Sequence, residues 1–415
     1  MKFLIYATYP TQTNGYSKVA SRFANYLSQF DTIQVYYFGI TNFNPSIQRF
    51  VHPRIQLIDV LKESPSKDPY GMDLISYKLQ IIKPDIIFLY NDILVLTRIF
   101  NALKGTPKTF QVYTYIDLVY EFENSANISY ISSNTDKFFV FSECWRNNLA
   151  EMGITKNVYL LEHGLNDDII YPVDKQEARK ALGLNPNDFI ILNTNRNTHR
   201  KGIDITITAF LIFLKKNNFD INIKLFLNMD FQCKTSYDIE SLVRTESQRL
   251  HMDYMIVWNH IYRFSQGGSA PDHIVNLLYN ATDVGINTCY GEGFGLCNFE
   301  HGCMGRAQIM TKTGALIDIF KGLPCKQITP VTSINVPLSL DSHGGIWDIG
   351  SPVDFAKALQ YYYENTTVCE NDGKILMQEL PKRYNWNNIL KTFYQSHILN
   401  FENIILTQSE IKPIL

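Results

Sequence analysis

The stretch GEGFGLCNFEHGCMG, residues 291–305, decides the fold of the second half of the chain. The segment before it, ATDVGINTCY, alternates apolar residues along one face, which is typical of a short strand that ends at the first glycine. A helix is predicted to begin near Gly295 or Leu296. Glu292 therefore lies on a glycine-flanked loop at the carboxyl end of a strand, and Glu300 lies about one turn into the helix.

The chemistry of this stretch indicates an anionic ligand that carries hydroxyl groups. Gly293 and Gly295 let backbone N–H groups approach a ligand closely, and the N-terminus of a helix favours an anion. The two carboxylates can face the same crevice and accept hydrogen bonds from hydroxyl groups. An anion beside two such carboxylates suggests a sugar nucleotide.

Two other interpretations of the glycines remain open at this point. A dinucleotide fingerprint, as in a nicotinamide oxidoreductase, needs a third glycine where Leu296 stands. It also needs an acidic residue at the end of a following strand about 20 residues further on, and the chain has none there. The glycines could also form only a tight turn, with Glu300 an ordinary exposed helix residue.

Length and composition limit the class of protein. A chain of 415 residues favours two domains, and a net charge of -2 disfavours a nucleic-acid partner. Seven cysteines without a CxxC pair favour a reducing compartment, so we expect a cytoplasmic location. The longest apolar stretch is broken by Lys83, Pro84, Asp85 and Asp92, so we expect no segment that spans a bilayer.

The first part of the chain alternates apolar strands with helical patterns. The predicted strands are KFLIYA, TIQVYYFGI, IQLIDV, DIIFLY, TFQVYTYID, FFVFS and VYLLEHG. This alternation predicts a doubly wound parallel α/β sheet, whose functional loops follow the carboxyl ends of the strands. Asn14 and Gly15 lie where the first loop meets its helix, so they either line that crevice or form a plain turn.

The strand and helix pattern restarts after a polar connection that contains Pro172 and Pro186. FIILNTN is the first strand of this part, and NIKLFLN, YMIVWNH, DVGIN and AQIMT are the predicted later strands. The basic loop RNTHRKG follows FIILNTN directly and brings together Arg196, Arg200 and Lys201, where a phosphate would lie. A basic loop is usually a solvated surface, but this one shares its edge of the sheet with the glycine-rich loop.

Several motifs of the second part occur in the order known from one enzyme family. They are Arg196 with Lys201-Gly202, Ala209-Phe210, Ala281-Thr282-Asp283-Val284, and Glu292-Gly293-Phe294-Gly295 with Glu300. On these motifs the chain resembles the retaining GT-B glycosyltransferases of family four, which use nucleotide-sugar donors. The resemblance is weaker in the first part, where it rests on Asn14-Gly15, Ser142 and His163-Gly164.

The resemblance implies the GT-B fold, with two Rossmann-like, doubly wound α/β domains that face each other across a cleft. We expect an N-terminal acceptor-side domain over residues 1–168 and a C-terminal nucleotide-sugar donor domain over residues 169–386. A C-terminal helix over residues 387–415 is expected to complete the first domain.

The resemblance also implies roles for individual residues. Arg196 and Lys201 would hold the donor diphosphate and stabilise the leaving group, while Glu292 would lie beside the transferred sugar as the third catalytic residue. Glu300 would bind the ribose hydroxyls. The other expected substrate contacts are Asn14, Gly15 and Asp117 in the first domain, and His260, Phe264, Ser265, Gly293, Phe294, Gly295 and Leu296 in the second.

One position departs from the family pattern. Many relatives carry a His before an Asp at the end of the strand that reads TFQVYTYID here, whereas this chain has Ile116 before Asp117. Either Asp117 or its neighbour Tyr115 replaces the missing contact to the sugar, or the acceptor is held differently.

The resemblance therefore implies a mannosyltransferase-like, retaining hexosyltransferase that needs no cofactor and no metal. GDP-mannose is the first choice of donor, followed by UDP-glucose or UDP-N-acetylglucosamine, and the acceptor is a glycan, a glycoprotein or another hydroxyl compound. Membrane contact is expected to be at most peripheral, because the net charge is near neutral and no strongly basic amphipathic helix is present. The alternative is a nucleotide-sugar-binding protein that has lost catalysis.

Overall fold

The computed structural model describes residues 1–43, 49–63, 66–233, 236–263 and 270–399. The chain divides into two compact units. The first unit contains Met1–Asn166, Val336–Gly345 and the chain from Asn385 onward. The second unit contains Asp167–Asn335 and Ile346–Tyr384.

The first unit is built on a parallel sheet whose strands read as nearly continuous apolar runs. These strands are β1 (Lys2–Thr8), β2 (Gln34–Ile40), β3 (Gln56–Asp59), β4 (Ile86–Asp92), β5 (Gln111–Asp117), β6 (Lys137–Val140) and β7 (Val158–Leu160). The helices between them are α1 (Gly15–Leu27), α2 (Ile75–Ile82), α3 (Ile93–Ala102), α4 (Ser125–Ser133) and α5 (Glu143–Glu151). The strand order is β3-β2-β1-β4-β5-β6-β7. Strands β2 and β3 lie on one side of β1 and the later strands lie on its other side, so the order in which strands are added reverses between β1 and β4. Strands buried on both faces are expected to be apolar throughout, as β1 is from Phe3 to Ala7.

The second unit contains a parallel sheet and a separate hairpin. Its strands are β8 (Phe189–Asn193), β9 (Ile223–Leu227), β10 (Ile261–Arg263), β11 (Val284–Asn287), β12 (Ala307–Thr311), β13 (Lys326–Ile328), β14 (Thr332–Asn335) and β15 (Ile346–Ile349). Its helices up to β14 are α6 (Lys175–Leu182), α7 (Ile203–Lys216), α8 (Ile239–Arg249), α9 (Tyr254–Trp258), α10 (Asp272–Ala281), α11 (Leu296–Cys303) and α12 (Leu316–Ile319). The parallel sheet has the order β10-β9-β8-β11-β12-β13, and β14 pairs with β15 in antiparallel register. The order reverses between β8 and β11, which is where open α/β sheets bind ligands.

The later part of the chain belongs alternately to the second and to the first unit. After β14 it forms α13 (Leu338–Asp341), and after β15 it forms α14 (Pro352–Glu364), α15 (Thr366–Arg383) and α16 (Trp386–Phe393). Helix α16 closes the core of the first unit, where the Phe393 ring lies 4.9 Å from the ring of Phe23. The expected C-terminal helix began at residue 387; residues 400–415 lie outside the described part of the chain.

The segment Val336–Gly345 belongs to the first unit although both its flanking strands belong to the second. The buried carboxylate of Glu123 holds it there, because it accepts hydrogen bonds from the backbone of Val119 and Tyr120 and lies 3.2 Å from Nδ1 of His343. Burial lowers the pKa of His343, but the hydrogen bond and negative charge of Glu123 outweigh it and raise that pKa. The expected second domain ran unbroken over residues 169–386, and no motif of the sequence indicates this return to the first unit.

The prediction of a strand at YMIVWNH was wrong. Tyr254–Trp258 form helix α9, and Asp253 begins it by accepting hydrogen bonds from the backbone N–H groups of Met255 and Ile256. A short apolar run does not distinguish a strand from a helix by its periodicity. The strand follows later, at Ile261–Arg263.

None of the helices in the described ranges combines the length and the apolar character that crossing a membrane requires.

Candidate functional site

Two loops of the second unit interlock at the carboxyl ends of the neighbouring strands β8 and β11. A 3-10 turn over His199–Lys201 ends at Gly202, whose φ is +56°. The hydroxyl of Thr288, directly after β11, donates a hydrogen bond of 2.7 Å to the carbonyl of Gly202. A Cβ at Gly202 would lie 2.3 Å from the Thr288 carbonyl oxygen, so only glycine permits this approach.

A substitution at Gly202 measures how tightly the two loops interlock. Gly202→Ala is expected to lower the free energy of unfolding by roughly 2–6 kcal/mol, because backbone strain and overpacking each contribute about 1–3 kcal/mol. Gly183→Ala is the matched control, since Gly183 also has a positive φ of +68° but no heavy atom within 4 Å of an added Cβ. Urea unfolding compares the variants, and equal losses in both would contradict the interlock.

The interlocked loops bring a lysine, an arginine and a carboxylate together. Nζ of Lys201 donates to Oε2 of Glu292, and both side chains are buried. Nη1 of Arg200 donates to the Gly291 carbonyl at 2.7 Å and lies 3.9 Å from Oε1 of Glu292. The structure therefore places Lys201 and Arg200, two of the three cations predicted to cluster on the basic loop, against Glu292 of the glycine-rich loop.

Glu292 is a carboxylate at every ordinary pH. Burial by itself would raise the pKa of Glu292, but the positive charges of Lys201 and Arg200 and hydrogen bonds from Lys201 and Asn287 lower it to about 2. The negative charge of Glu292 in turn fixes the position of the Lys201 ammonium group.

The lowered pKa gives Glu292 a defined contribution to acid stability. The pKa of Glu292 is about 2 in the folded chain, against an ordinary value of 4.5 that we assign to the unfolded chain. The ionised form of Glu292 therefore stabilises the fold above about pH 4.5. That stabilisation is lost as the pH falls from 4.5 towards 2. We expect the difference in unfolding free energy between the natural protein and Glu292→Gln to shrink over that window, as urea unfolding would measure. A difference that stays constant with pH would contradict the ion pair.

Helix α11 presents an uncapped N-terminus beside this cluster. Gly295 occupies the N-cap position with a φ of +82° and makes no side-chain capping hydrogen bond. The N–H groups of that turn can bind an anion. Leu296 is the first residue of the helix, as predicted. The ring of Phe294 packs 5.4 Å from that of Phe299 and 5.9 Å from that of Tyr384, so this ring belongs to the core.

Glu300 lies inside helix α11 and is 3% exposed. Its Oε2 accepts a hydrogen bond of 3.2 Å from the hydroxyl of Tyr279, a buried residue of α10. Glu300 is thus held on the same helix whose N-terminus follows the Glu292 loop. Tyr279 was not predicted, and only the apolar spacing of its helix marks it in the sequence.

Arg196 lies on the loop after β8, and its side chain is exposed. Its carbonyl accepts a hydrogen bond of 2.9 Å from the backbone of Thr198. Among the residues that the structure describes, Lys201 and Arg200 form ion pairs with Glu292 and Arg196 does not. The diphosphate role of Arg196 therefore stays a prediction.

The structure does not bring His260 together with the other predicted residues. His260 is 2% exposed, and its Nδ1 lies 2.8 Å from the carbonyl of Ile223, at the amino end of β9. The prediction that His260 contacts the substrate placed it at the end of the predicted strand YMIVWNH, but this segment contains helix α9, and His260 comes before β10. His260 therefore lies at the opposite edge of the sheet from Glu292. Phe264 and Ser265 lie outside the described residues.

The predicted residues of the first unit lie at the carboxyl edge of its sheet. Oδ1 of Asn14 accepts a hydrogen bond of 2.9 Å from the backbone of Ser17, and Gly15 opens helix α1. Asp117 ends β5 and accepts a 2.5 Å hydrogen bond from the hydroxyl of Tyr16, which the sequence analysis missed although it directly follows Gly15.

The sequence analysis left Asp117 and Tyr115 as candidates for the sugar contact that a His provides in the family that the chain resembles, and the structure distinguishes between them. The hydroxyl of Tyr115 donates to the Leu161 carbonyl at 2.5 Å, and both Tyr115 and Ile116 are buried in the core of the first unit. Asp117 alone of the three stands at the end of the strand. This placement favours Asp117 over Tyr115 as the replacement.

Solved structures share this fold. Sucrose-phosphate synthase from Thermosynechococcus elongatus is 17% identical with a TM-score of 0.74, over 97% of this chain and 99% of that one. Anabaena HepE in complex with UDP and glucose is 15% identical with a TM-score of 0.68, over 95% and 98% of the two chains. WaaG, a glycosyltransferase involved in lipopolysaccharide biosynthesis, is 13% identical with a TM-score of 0.63, over 94% and 98%. Neither protein-family models nor curated protein sequences give a match.

The chain therefore has the GT-B fold, which confirms the predicted fold class. At these identities the likeness establishes the fold and leaves the membership of family four a prediction.

Proposed function

We propose that this chain is a glycosyltransferase that moves a hexose from a nucleoside diphosphate sugar to a hydroxyl acceptor. The observation that carries the proposal is the cluster of Lys201, Arg200 and Glu292 beside the uncapped N-terminus of α11. This cluster lies at the reversal of strand order, which is the general place for ligands in such sheets.

The cluster suits the charges that develop when a glycosyl–phosphate bond breaks. The anomeric carbon becomes positive while the leaving diphosphate gains negative charge. Lys201, Arg200 and Arg196 would stabilise that diphosphate together with the N–H groups at the start of α11. Since Lys201, Arg200 and the helix are fixed before the donor binds, little reorganisation is needed during the reaction.

The two carboxylates have separate places in this proposal. Glu292 would lie beside the transferred sugar and would hold Lys201 in position for the diphosphate. Glu300, further along α11, would accept hydrogen bonds from the ribose hydroxyls. In the first unit, Asp117 would accept a hydrogen bond from a sugar hydroxyl, with Tyr16 fixing its orientation.

The donor and the stereochemistry are the finer parts of the proposal. GDP-mannose remains the first choice from the resemblance, and UDP-glucose stands beside it because HepE is described with UDP and glucose. We further propose retention of configuration, transfer without a metal and a glycan or other hydroxyl compound as acceptor. In the described ranges no group of three or more His, Cys, Asp or Glu side chains is arranged to hold a metal ion.

Release of nucleoside diphosphate tests the proposal. The protein is incubated with GDP-mannose, UDP-glucose, UDP-N-acetylglucosamine or ADP-glucose, with a panel of hydroxyl acceptors, with and without EDTA. We expect one donor to be consumed in both conditions, and NMR to show the donor's anomeric configuration in the product. Inversion would contradict the retaining mechanism, and loss of turnover in EDTA would contradict metal independence.

The same donors distinguish the transferase from the alternative, a nucleotide-sugar-binding protein that has lost catalysis. A protein that binds a donor but neither transfers nor hydrolyses it would be a nucleotide-sugar-binding protein. A protein that binds none of the donors would contradict both hypotheses.

A further inference from the structure

A chain of buried amide side chains leads to Glu292 from the interior of the second unit. Its members are Asn195, Asn287, Asn298 and Gln308, each at most 3% exposed. Nδ2 of Asn195 donates to Oδ1 of Asn287 at 3.2 Å, and Nδ2 of Asn298 donates to Oε1 of Gln308 at 2.9 Å. Gln308 donates in turn to the carbonyl of Arg306 at 3.1 Å.

Asn287 is the centre of this chain, and all four of its amide hydrogen-bonding positions are filled. Its Nδ2 donates to Oε2 of Glu292 at 3.2 Å and to Oδ1 of Asn298 at 2.7 Å. Its Oδ1 accepts from Asn195 and from the backbone N–H of Cys289, both at 3.2 Å. Because every donor and acceptor is assigned, the amide has one orientation, and it presents an N–H to Glu292.

The same oxygen of Glu292 receives both Asn287 and Lys201. With Oε2 held by two donors, the plane of the carboxylate and the direction of the Lys201 ammonium group are set together. A buried amide network of this kind is expensive to leave partly satisfied, so an effect on Glu292 is expected from any change at its centre.

Gly285 leaves room for the network of buried amide side chains. A Cβ at Gly285, in β11, would lie 2.4 Å from Oε1 of Gln308 and 2.6 Å from Nδ1 of His301. The strand that carries Asn287 therefore has a glycine where a side chain would displace the far end of the amide chain.

We infer that Asn287 is a positioning residue for the reaction: its fully engaged amide orients Glu292, and through Glu292 it orients the Lys201 ammonium group towards the donor diphosphate. The inference rests on the proposed function for the identity of the ligand at Lys201. It goes beyond that function, because Asn287 touches no substrate in it and acts only through Glu292.

Asn287→Asp tests the inference with a minimal change of shape. The variant replaces the N–H that faces Glu292 by an oxygen, so kcat is expected to fall roughly 10-fold to 100-fold near neutral pH, with a smaller change in the KM for the donor. The activity relative to the natural protein is expected to rise as the pH falls, because the introduced carboxyl regains one donor when it is protonated. If Asn287 had only a structural role, Asn287→Asp would neither lower kcat more than it changes KM nor alter the pH dependence of the activity.

Asn280→Asp is the matched control. Asn280 is 1% exposed in the same unit, and its amide bonds the backbone of Tyr171 and Val173 rather than Glu292. We expect this variant to lose stability without the pH-dependent loss of kcat. Asn298→Ala, one link further from Glu292, is expected to lower kcat by a smaller factor and keeps the test valid if Asn287→Asp does not fold.

A second measurement tests the hydrogen bond between Asn287 and Glu292 in the absence of any sugar nucleotide. Combining Asn287→Asp with Glu292→Gln exchanges the hydrogen-bond donor and the hydrogen-bond acceptor of this contact. In urea unfolding, the double variant is expected to lose less unfolding free energy than the sum of the two single losses. Additive losses would overturn the inference whatever the activity. A natural protein that neither transfers nor binds a sugar nucleotide would instead overturn the proposed function. An active natural protein whose Asn287→Asp variant matches Asn280→Asp in kcat and pH profile would overturn the inference alone.

Discussion

Replacing Lys201 by alanine is expected to slow sugar transfer by roughly 10²-fold or more and to weaken donor binding. A preorganised charge that stabilises a leaving group contributes on the order of 10²-fold to 10³-fold in comparable sites. The substitution also leaves Glu292 buried at 7% exposure without the ammonium group that pairs with it. Glu292 would then be paired only with Arg200, at 3.9 Å, and its negative charge would repel the incoming diphosphate. Steady-state kinetics with the donor identified in the panel measures both effects.

Lys175→Ala is the control for this substitution. Lys175 also forms an ion pair in the second unit, with Asp283, which precedes β11 at the amino edge of the sheet. Its loss is expected to affect stability and to leave the kinetics unchanged. If Lys201→Ala behaved in the same way, Lys201 would have no place at the diphosphate.

Glu300→Ala is expected to weaken the affinity for the nucleoside diphosphate by roughly 10-fold to 100-fold. A hydrogen bond to a charged group contributes about 1.5–3 kcal/mol, and each 1.4 kcal/mol corresponds to about tenfold in affinity. Because Glu300 is assigned to the ribose hydroxyls, the substitution is also expected to abolish the preference for a ribonucleotide over its 2′-deoxy analogue. Calorimetric titration with both ligands measures the affinity and the preference together.

Tyr279→Phe gives the graded comparison. This variant keeps the ring in the core and removes only the hydroxyl that donates to Glu300 at 3.2 Å. We expect a smaller loss of affinity and a retained preference for the ribonucleotide. A Glu300→Ala protein that still discriminates between the two nucleotides would contradict the ribose role.

The alternating strands and the start of helix α11 could be predicted from the sequence because their signals are local. Strand β11 follows from the alternation in DVGIN, and the glycines before Leu296 mark where the helix begins. The sequence also predicted that the loops of Lys201 and Glu292 share one edge of the sheet, because both follow strands of a parallel sheet, but it did not predict their ion pair.

The remaining features depend on tertiary contacts that no local pattern records. Asn195 and Asn287 are 92 positions apart and meet only because β8 and β11 are neighbours in the sheet. The return of Val336–Gly345 to the first unit depends on the buried Glu123. Helix α9 was mistaken for a strand because its short apolar run fits both periodicities. That error also misplaced His260.

Calorimetric titration of GDP, UDP and ADP into the folded protein, in EDTA, tests the central claim most directly. The account predicts that at least one of these nucleoside diphosphates binds at a single site, and that Lys201→Ala weakens this binding while Lys175→Ala leaves it unchanged. Absence of binding by all three, at concentrations well above typical affinities, would contradict a nucleotide-sugar site at Lys201 and Glu292.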